Sequence, residues 1–442
     1  MRSKNMIFIR CCYGYAVSGT AVLVVGAILP SIMREAGLSY TMAGGMLSMM
    51  AAGNMLASFL FPVMVRFMGK RLSITLTSFL VPVSFLLLPR LPGIGILYLL
   101  MLACGLARGS ITIINNMTVN VISHSSGKAL NLLHCSFAAG AFLTPFLTAV
   151  MIRAGLGWRS PLYLIMALSV SSALSYATMD YSGDGGDETR EDEVSTDAVT
   201  AGEDRAFLKN FYFYCISFLL FFYVGTENCI NGWFVTYLQS TGVMTEAYAA
   251  SMVSVTWLTI MGGRLVCASL SRRFEKSTLT VINAVGSGIC FTVLLSASSL
   301  VTITAALAGL GFFLAGIYPT CIADAGQYTK GSALGMSILT AISALGGIIA
   351  PQLIGSAADR MGMAAAFGLL CFNAAVMVLL ALVNFSKTTG VCGPGKARRR
   401  LSDISLLLFL HPCPRREQKQ HREQFQPSGQ HIKHQHIFGK RA

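Results

Sequence analysis

Charge is what this sequence of 442 residues has least of. Asp, Glu, Lys and Arg make up 12% of it and hydrophobic residues 54%, where a water-soluble domain carries about 25% charged residues. Such a chain cannot cover its own surface in water. It also lacks the strict alternation of membrane strands and shows long apolar runs instead, which makes it an all-α integral membrane protein. C-x-x-C pairs are missing, so the twelve scattered cysteines read as small apolar residues rather than as disulfides or a metal site. There is no Walker loop, no G-x-S-x-G and no H-E-x-x-H. His124 and His134 have no acid cluster beside them. These absences exclude ATP as the driving force and argue against an enzyme, a bound metal and a cofactor.

The formal charge of +14 suggests a nucleic-acid partner, but its distribution does not. Beyond Phe385 stand 12 Lys and Arg against three acids, Asp403, Glu417 and Glu423. Most of the excess therefore belongs to a solvated tail beside an anionic lipid leaflet. The histidines of that tail, His431, His434 and His436, are weak candidates for a metal.

Charges, prolines and glycines punctuate the apolar runs into twelve spans, at about 7–32, 41–65, 72–89, 93–121, 129–152, 160–179, 210–238, 247–270, 278–298, 300–325, 332–356 and 363–385. The first run is too long for a signal-peptide core and is expected to remain as a span. Residues 181–206 hold nine of the 19 acids and nothing to bury, which is the composition of a flexible linker. The expected organisation is a six-helix half over 1–180, the acidic linker over 181–206, a second half over 207–386 and a basic tail over 387–442. Thirteen Lys and Arg fall in the loops on the N-terminal side and five on the other, so both termini and the linker are expected in the cytoplasm. A bacterial inner membrane is the expected location.

A shift of 206 residues lays Gly19 on Gly225, Gly26 on Gly232, Arg66 on Arg272, Lys70 on Lys276, Gly105 on Gly311, Gly140 on Gly346 and Pro145 on Pro351. The halves therefore read as parallel repeats.

The segment 223–238, YVGTENCINGWFVTYL, holds a carboxylate deep within a span. Such a residue usually faces a wet cavity or a partner. Glu227 could take up and release a proton, or be paired as a structural residue. Asn228, Asn231, Trp233 and Tyr237 follow it within three turns, and Gly225 and Gly232 could let the helix bend. Arg108 in the fourth span lies at a similar depth and is the expected counter-charge. Asn115 and Asn116 repeat one helical face with Arg108, for pore lining or for hydrogen bonds between helices. His134 could assist proton movement. Trp257, Tyr318 and Gln327 are weaker candidates, and Asp324 reads as a gate or surface pair with Lys330.

GLARGSITIINN at 105–116, LNLLHCSFAAGAFLTPFL at 130–147, the segment 223–238 and AGIYPT at 315–320 together resemble the major facilitator superfamily, and within it the fucose and glucose/mannose permeases. The resemblance covers about residues 5–386. It implies the major facilitator fold, twelve transmembrane helices in two six-helix pseudo-symmetric halves, and a secondary transporter working by alternating access. It further implies a small polar solute such as a monosaccharide, moved with protons. An exporter of organic anions or drugs is the rival reading, and a non-transporting receptor or membrane enzyme a remote one. The superfamily's motif G-x-x-x-D-R-x-G-R-K maps onto Pro62–Arg71, with Arg66 where the aspartate would stand. Gating is therefore expected of Arg66, Lys70, Arg71 and Arg272, and of Arg264, which is expected to meet phosphates or the neighbouring half. The fucose-permease acid of the first span is missing, with Ala21 at the position matching Glu227.

Overall fold

The computed structural model describes residues 2–123, 127–179, 181, 205–271, 273–329 and 332–390. The first half contains α1 (Arg2–Ala36), α2 (Tyr40–Ser78), α3 (Leu80–Leu87), α4 (Ile94–Ile122), α5 (Gly127–Arg153) and α6 (Ser160–Ala177). The second contains α7 (Phe211–Ser240), α8 (Glu246–Leu270), α9 (Lys276–Ser296), α10 (Leu300–Leu314), α11 (Ile317–Thr329), α12 (Ala333–Met361), α13 (Met363–Gly368) and α14 (Leu370–Gly390). The acidic linker (apart from its ends) and the tail beyond residue 390, with its histidines, lie outside the described residues.

Apolar runs set the helices and short polar side chains start them. Ser39, Thr245, Ser299 and Ser332 each accept from a backbone N–H three residues on, which satisfies donors that a helix start leaves open. Inside the spans, hydroxyls bond back to carbonyls one turn earlier, as Thr144 does to Gly140 at 3.0 Å and Ser217 to Phe213 at 2.8 Å. Polar atoms are thereby matched where lipid offers no partner.

Eleven stretches among the described residues are long and apolar enough to cross a membrane. One of them, Tyr40–Arg90, has 51 residues and turns back at Gly69, whose φ of 77° falls where only glycine is comfortable. It supplies two of the twelve expected spans. The tenth span, expected to be continuous, breaks between α10 and α11, and the last breaks between α13 and α14.

The repeat is visible in the packing. α1 packs on α5 and α6 as α7 packs on α12 and α14, and α2 lies on α4 as α8 lies on α10. α3 sits against α4 and α6 as α9 sits against α10 and α14. Even single contacts recur at the same offset. A Cβ on Gly105 would strike the Met50 carbonyl, and one on Gly311 the Thr256 carbonyl. Small residues there let the helix backbones close up.

The halves meet through α1 with α7, α2 with α12 and α5 with α8. We call the end of the bundle where α1 begins the near end and the opposite one the far end. Toward the far end Ser31 Oγ donates to Glu246 at 2.5 Å, with Arg34 paired to the same carboxylate at 3.3 Å. The backbone N–H groups of Tyr40 and Thr41 both donate to the Asp359 carboxylate at 2.8 Å. Ser48 Oγ bonds the Ile348 carbonyl at 2.5 Å and Ser254 Oγ the Phe142 carbonyl at 2.8 Å. Gly26 lets α1 lie directly against the Asn231 backbone. These contacts join the halves toward the far end.

Candidate functional site

α7 runs unbroken from Phe211 to Ser240. The bend anticipated at its glycines does not occur, because Gly225 and Gly232 serve close packing instead, against Gly346 and Leu47. Glu227 lies near the helix middle. One position on, Asn228 and then Asn231 face a cavity shared with Val22 and Gly26 of α1, Leu47, Met50 and Ala51 of α2, and Arg108 of α4. In this state it is narrow, about 10 Å3, room for about one water. Polar residues of both halves thus meet in one hollow.

Glu227 turns toward a second group of side chains. Its carboxylate interacts with the Tyr223 hydroxyl one turn earlier and lies in the fields of Arg264 and Arg108. The Tyr223 and Tyr318 rings stand 6.0 Å apart. Across the interface, Tyr15 of α1 lies in the fields of the same two arginines. Its ring makes an edge contact with His134 at 5.5 Å and a tilted one with Phe137 at 5.1 Å. Phe137 in turn meets Trp257 of α8 at 6.1 Å. His134 is exposed and lies in the field of Arg264.

Arg264, expected to gate and to meet phosphates or the neighbouring half, is half-buried on α8, and its charge acts on Tyr15 and His134 of the other half and on Glu227 of its own. Seven residues separate Trp257 from Arg264, which places both on one face of α8; that spacing was the available signal. Neither Arg108 nor Arg264 forms an ion pair or a side-chain hydrogen bond among the described residues.

Other expected residues are engaged elsewhere. Asn115 is fully buried, and its Nδ2 donates to the Tyr176 hydroxyl at 2.8 Å, so it ties α4 to α6. Trp233 is also buried, with Nε1 donating to the Pro351 carbonyl at 3.1 Å. Tyr237 stacks on Phe367 at 4.4 Å. These three hold helices together and do not line the hollow. Asn116 is half-buried on α4. Asp324 is no surface residue: at 7% exposure it accepts from Gln327 at 2.6 Å and from Asn384 at 2.7 Å.

Of the residues assigned to gating, Arg71 donates through Nε to the Ala177 carbonyl, and Arg10 reaches the Thr178 carbonyl at 3.1 Å. Both cap the C-terminal end of α6, where carbonyls are unpaired and the dipole favours cations. Arg66 is exposed and Lys70 half-buried. Arg272 lies outside the described residues.

The family model described as Major Facilitator Superfamily matches residues 11–351. Among curated proteins, "Bypass of stop codon protein 6" of Saccharomyces cerevisiae is 23% identical over 391 residues, covering 80% of this chain and 77% of its own. Among solved structures, a mutant of the nucleoside transporter NupG superposes with a TM-score of 0.71 at 13% identity, over 87% of this chain and 99% of that one. A variant of the E. coli Fucose:proton symporter FucP gives 0.57 at 17% identity, over 86% and 99%.

Proposed function

This chain belongs to the Major Facilitator Superfamily and is a membrane transporter rather than an enzyme, and we propose that it carries a small polar solute by alternating access, with a proton exchanged at Glu227. The observation that carries this reading is the hollow between the halves, to which one half brings Arg108 and the other Asn228 and Asn231. A site built from both halves is remade whenever they rock, which couples binding to the motion. The contacts that join the halves toward the far end favour the same reading, since with that end closed the hollow could reach only the near side. With the termini cytoplasmic, as the loop charges suggest, this is the state facing the cytoplasm.

Glu227 suits proton coupling because a carboxylate at this depth, with no direct ion pair, is costly to leave charged. It sits among a tyrosine hydroxyl and two guanidinium fields, so its protonation and the occupancy of the hollow are electrostatically linked. Nucleosides and fucose, the solutes named for the two structural neighbours, set the scale of one or two hydrophilic rings.

The test is uptake into proteoliposomes from a panel of sugars, nucleosides and their acid derivatives, with and without a proton gradient. Native protein should accumulate its solute uphill. Glu227→Gln should abolish accumulation while leaving exchange of internal for external solute intact. Uphill uptake retained in Glu227→Gln, or unchanged when the gradient is collapsed, would remove the proton from the reading.

A further inference from the structure

Asn228 lines the hollow with no side-chain hydrogen bond among the described residues, yet its carboxamide is not free to turn. Behind it stands α12, and the residue that meets it there is Gly347, which is buried. A Cβ on Gly347 would strike Asn228 Nδ2, and would lie 3.4 Å from Asn228 Cγ and 3.0 Å from Val224 Cγ1, one turn earlier on α7. The bare Cα thus leaves a recess in which the carboxamide rests, with Val224 on its flank. The preceding glycine serves another purpose. A Cβ on Gly346 would strike the Phe221 carbonyl, so Gly346 lets two helix backbones close up. Of this pair only Gly347 meets a side chain that lines the hollow.

The first half shows what the recess accommodates. At the 206-residue offset Asn228 matches Val22, and Gly347 matches Ala141. Val22 also lines the hollow, and α1 packs on α5 as α7 packs on α12. The apolar copy therefore has a methyl at the backing position and the polar copy has none. An Asn side chain branches one atom further from its backbone than Val does, and needs that depth. Ordinary packing sets heavy atoms about 3.5–4 Å apart, so a methyl at position 347 would push the carboxamide roughly 1 Å or more away from α12. The open direction is the hollow, at about 10 Å3 too narrow to absorb the shift.

We propose that Gly347 is a positioning residue for the solute. It holds the Asn228 carboxamide back against α12, and so sets both the width of the hollow and the direction from which Asn228 offers its hydrogen bonds. The inference deepens the transport reading above and rests on it for its purpose.

The first test needs no knowledge of the solute. In purified full chain with other reactive thiols replaced, Met50→Cys puts a thiol on the wall of the hollow. Its rate of modification by methanethiosulfonate ethylammonium reports the room there. Gly347→Ala should slow that rate about 2- to 10-fold, the size of a coupling between residues in contact. In an Asn228→Ala background the same change should have no effect, because the side chain it displaces is gone. Equal slowing in both backgrounds would overturn the inference and leave Gly347 a packing residue, and so would no slowing in either. If Gly347→Ala alone does not fold, thermal unfolding of the double variant decides: folding regained supports the role of Asn228, and folding still lost overturns it. In proteoliposomes Gly347→Ala should raise KM more than it lowers the maximal rate; a lower maximal rate at unchanged KM would count against positioning. If no solute of the uptake panel is carried, the transport reading falls, while the thiol rates still decide whether Gly347 positions Asn228.

Discussion

Removing the carboxylate of Asp359 should loosen the far end by a predictable amount. The first four N–H groups of a helix have no partner within it, and those of α2 can be followed one by one. Tyr40 and Thr41 donate to Asp359 across the interface at 2.8 Å each. Met42 donates to Ser39 Oγ at 3.2 Å and Ala43 to the Ser39 carbonyl at 3.0 Å. Only the first two bonds join the halves, and only they break when the far end opens. Each is charge-assisted, but Asp359 is exposed and water replaces it readily. We therefore take about 1 kcal/mol for the pair, at the low end for such bonds. Asp359→Ala should shift the ratio of far-closed to far-open protein about fivefold, and Asp359→Asn, which keeps one acceptor, by less. Spin labels at Leu156→Cys and Val243→Cys, exposed far-end positions of opposite halves, would report the separation, with other reactive thiols replaced. A growing long-distance population is expected, and more so at low salt, where the native bond is strongest. Superimposable distance distributions in native protein and Asp359→Ala, with the fold intact, would refute the latch.

Two further substitutions probe the packing. Gly26→Val places a side chain on the Asn231 backbone, and overpacking of this kind costs about 1–3 kcal/mol; it should lengthen the same label distances, and unchanged distances would show that α1 and α7 do not govern closure. Asn384→Ala strips the Asp324 carboxylate of one donor and the Tyr328 hydroxyl of its acceptor, bonds of 2.7 and 2.9 Å. Leaving such groups unmatched costs about 1–3 kcal/mol, so the variant should unfold at lower denaturant, whereas native-like unfolding would mean that water fills the gap.

The fold was legible because the signals that encode it are local and repeated. Low charge, run length and the 206-residue offset each report membrane helices and a duplicated half, and the Gly105 and Gly311 contacts are that offset in physical form. Gly69 could be read as a punctuation mark, though not as the left-handed residue that folds a 51-residue helical stretch back on itself. The site was legible only in part. Arg108, Glu227, Asn228 and Asn231 stood out because polarity deep in an apolar run is rare, and three of them line one cavity. Trp233, Tyr237 and Asn115 carry the same signal, yet they satisfy neighbouring helices, and sequence does not say which face of a helix looks inward when all faces are apolar. Arg264 was read at the inner end of its span, and its Cα does lie six residues before the end of α8; that its charge acts on Glu227 could not be read from sequence, because long side chains can carry their charge well away from their backbone.

The two ends of the molecule differ in a way that bears on how it moves. At the near end, the motif position that holds aspartate in the superfamily carries Arg66, and Arg71 and Arg10 bond the end of α6 within their own half. At the far end, Asp359 and Glu246 both cross from one half to the other. Cross-half carboxylate bonds therefore stand on the far side, and under the proposed alternating access they would bias the resting protein toward far-end closure. Such a bias has to remain small, because a ligand shifts an equilibrium only by its difference in affinity for the two states. Exposed ionic bonds have that property, each contributing little and weakening with salt. A solute bound between Arg108 of one half and Asn228 and Asn231 of the other would draw the halves together at the centre, and its binding energy would then act on the same equilibrium that the far-end latch sets.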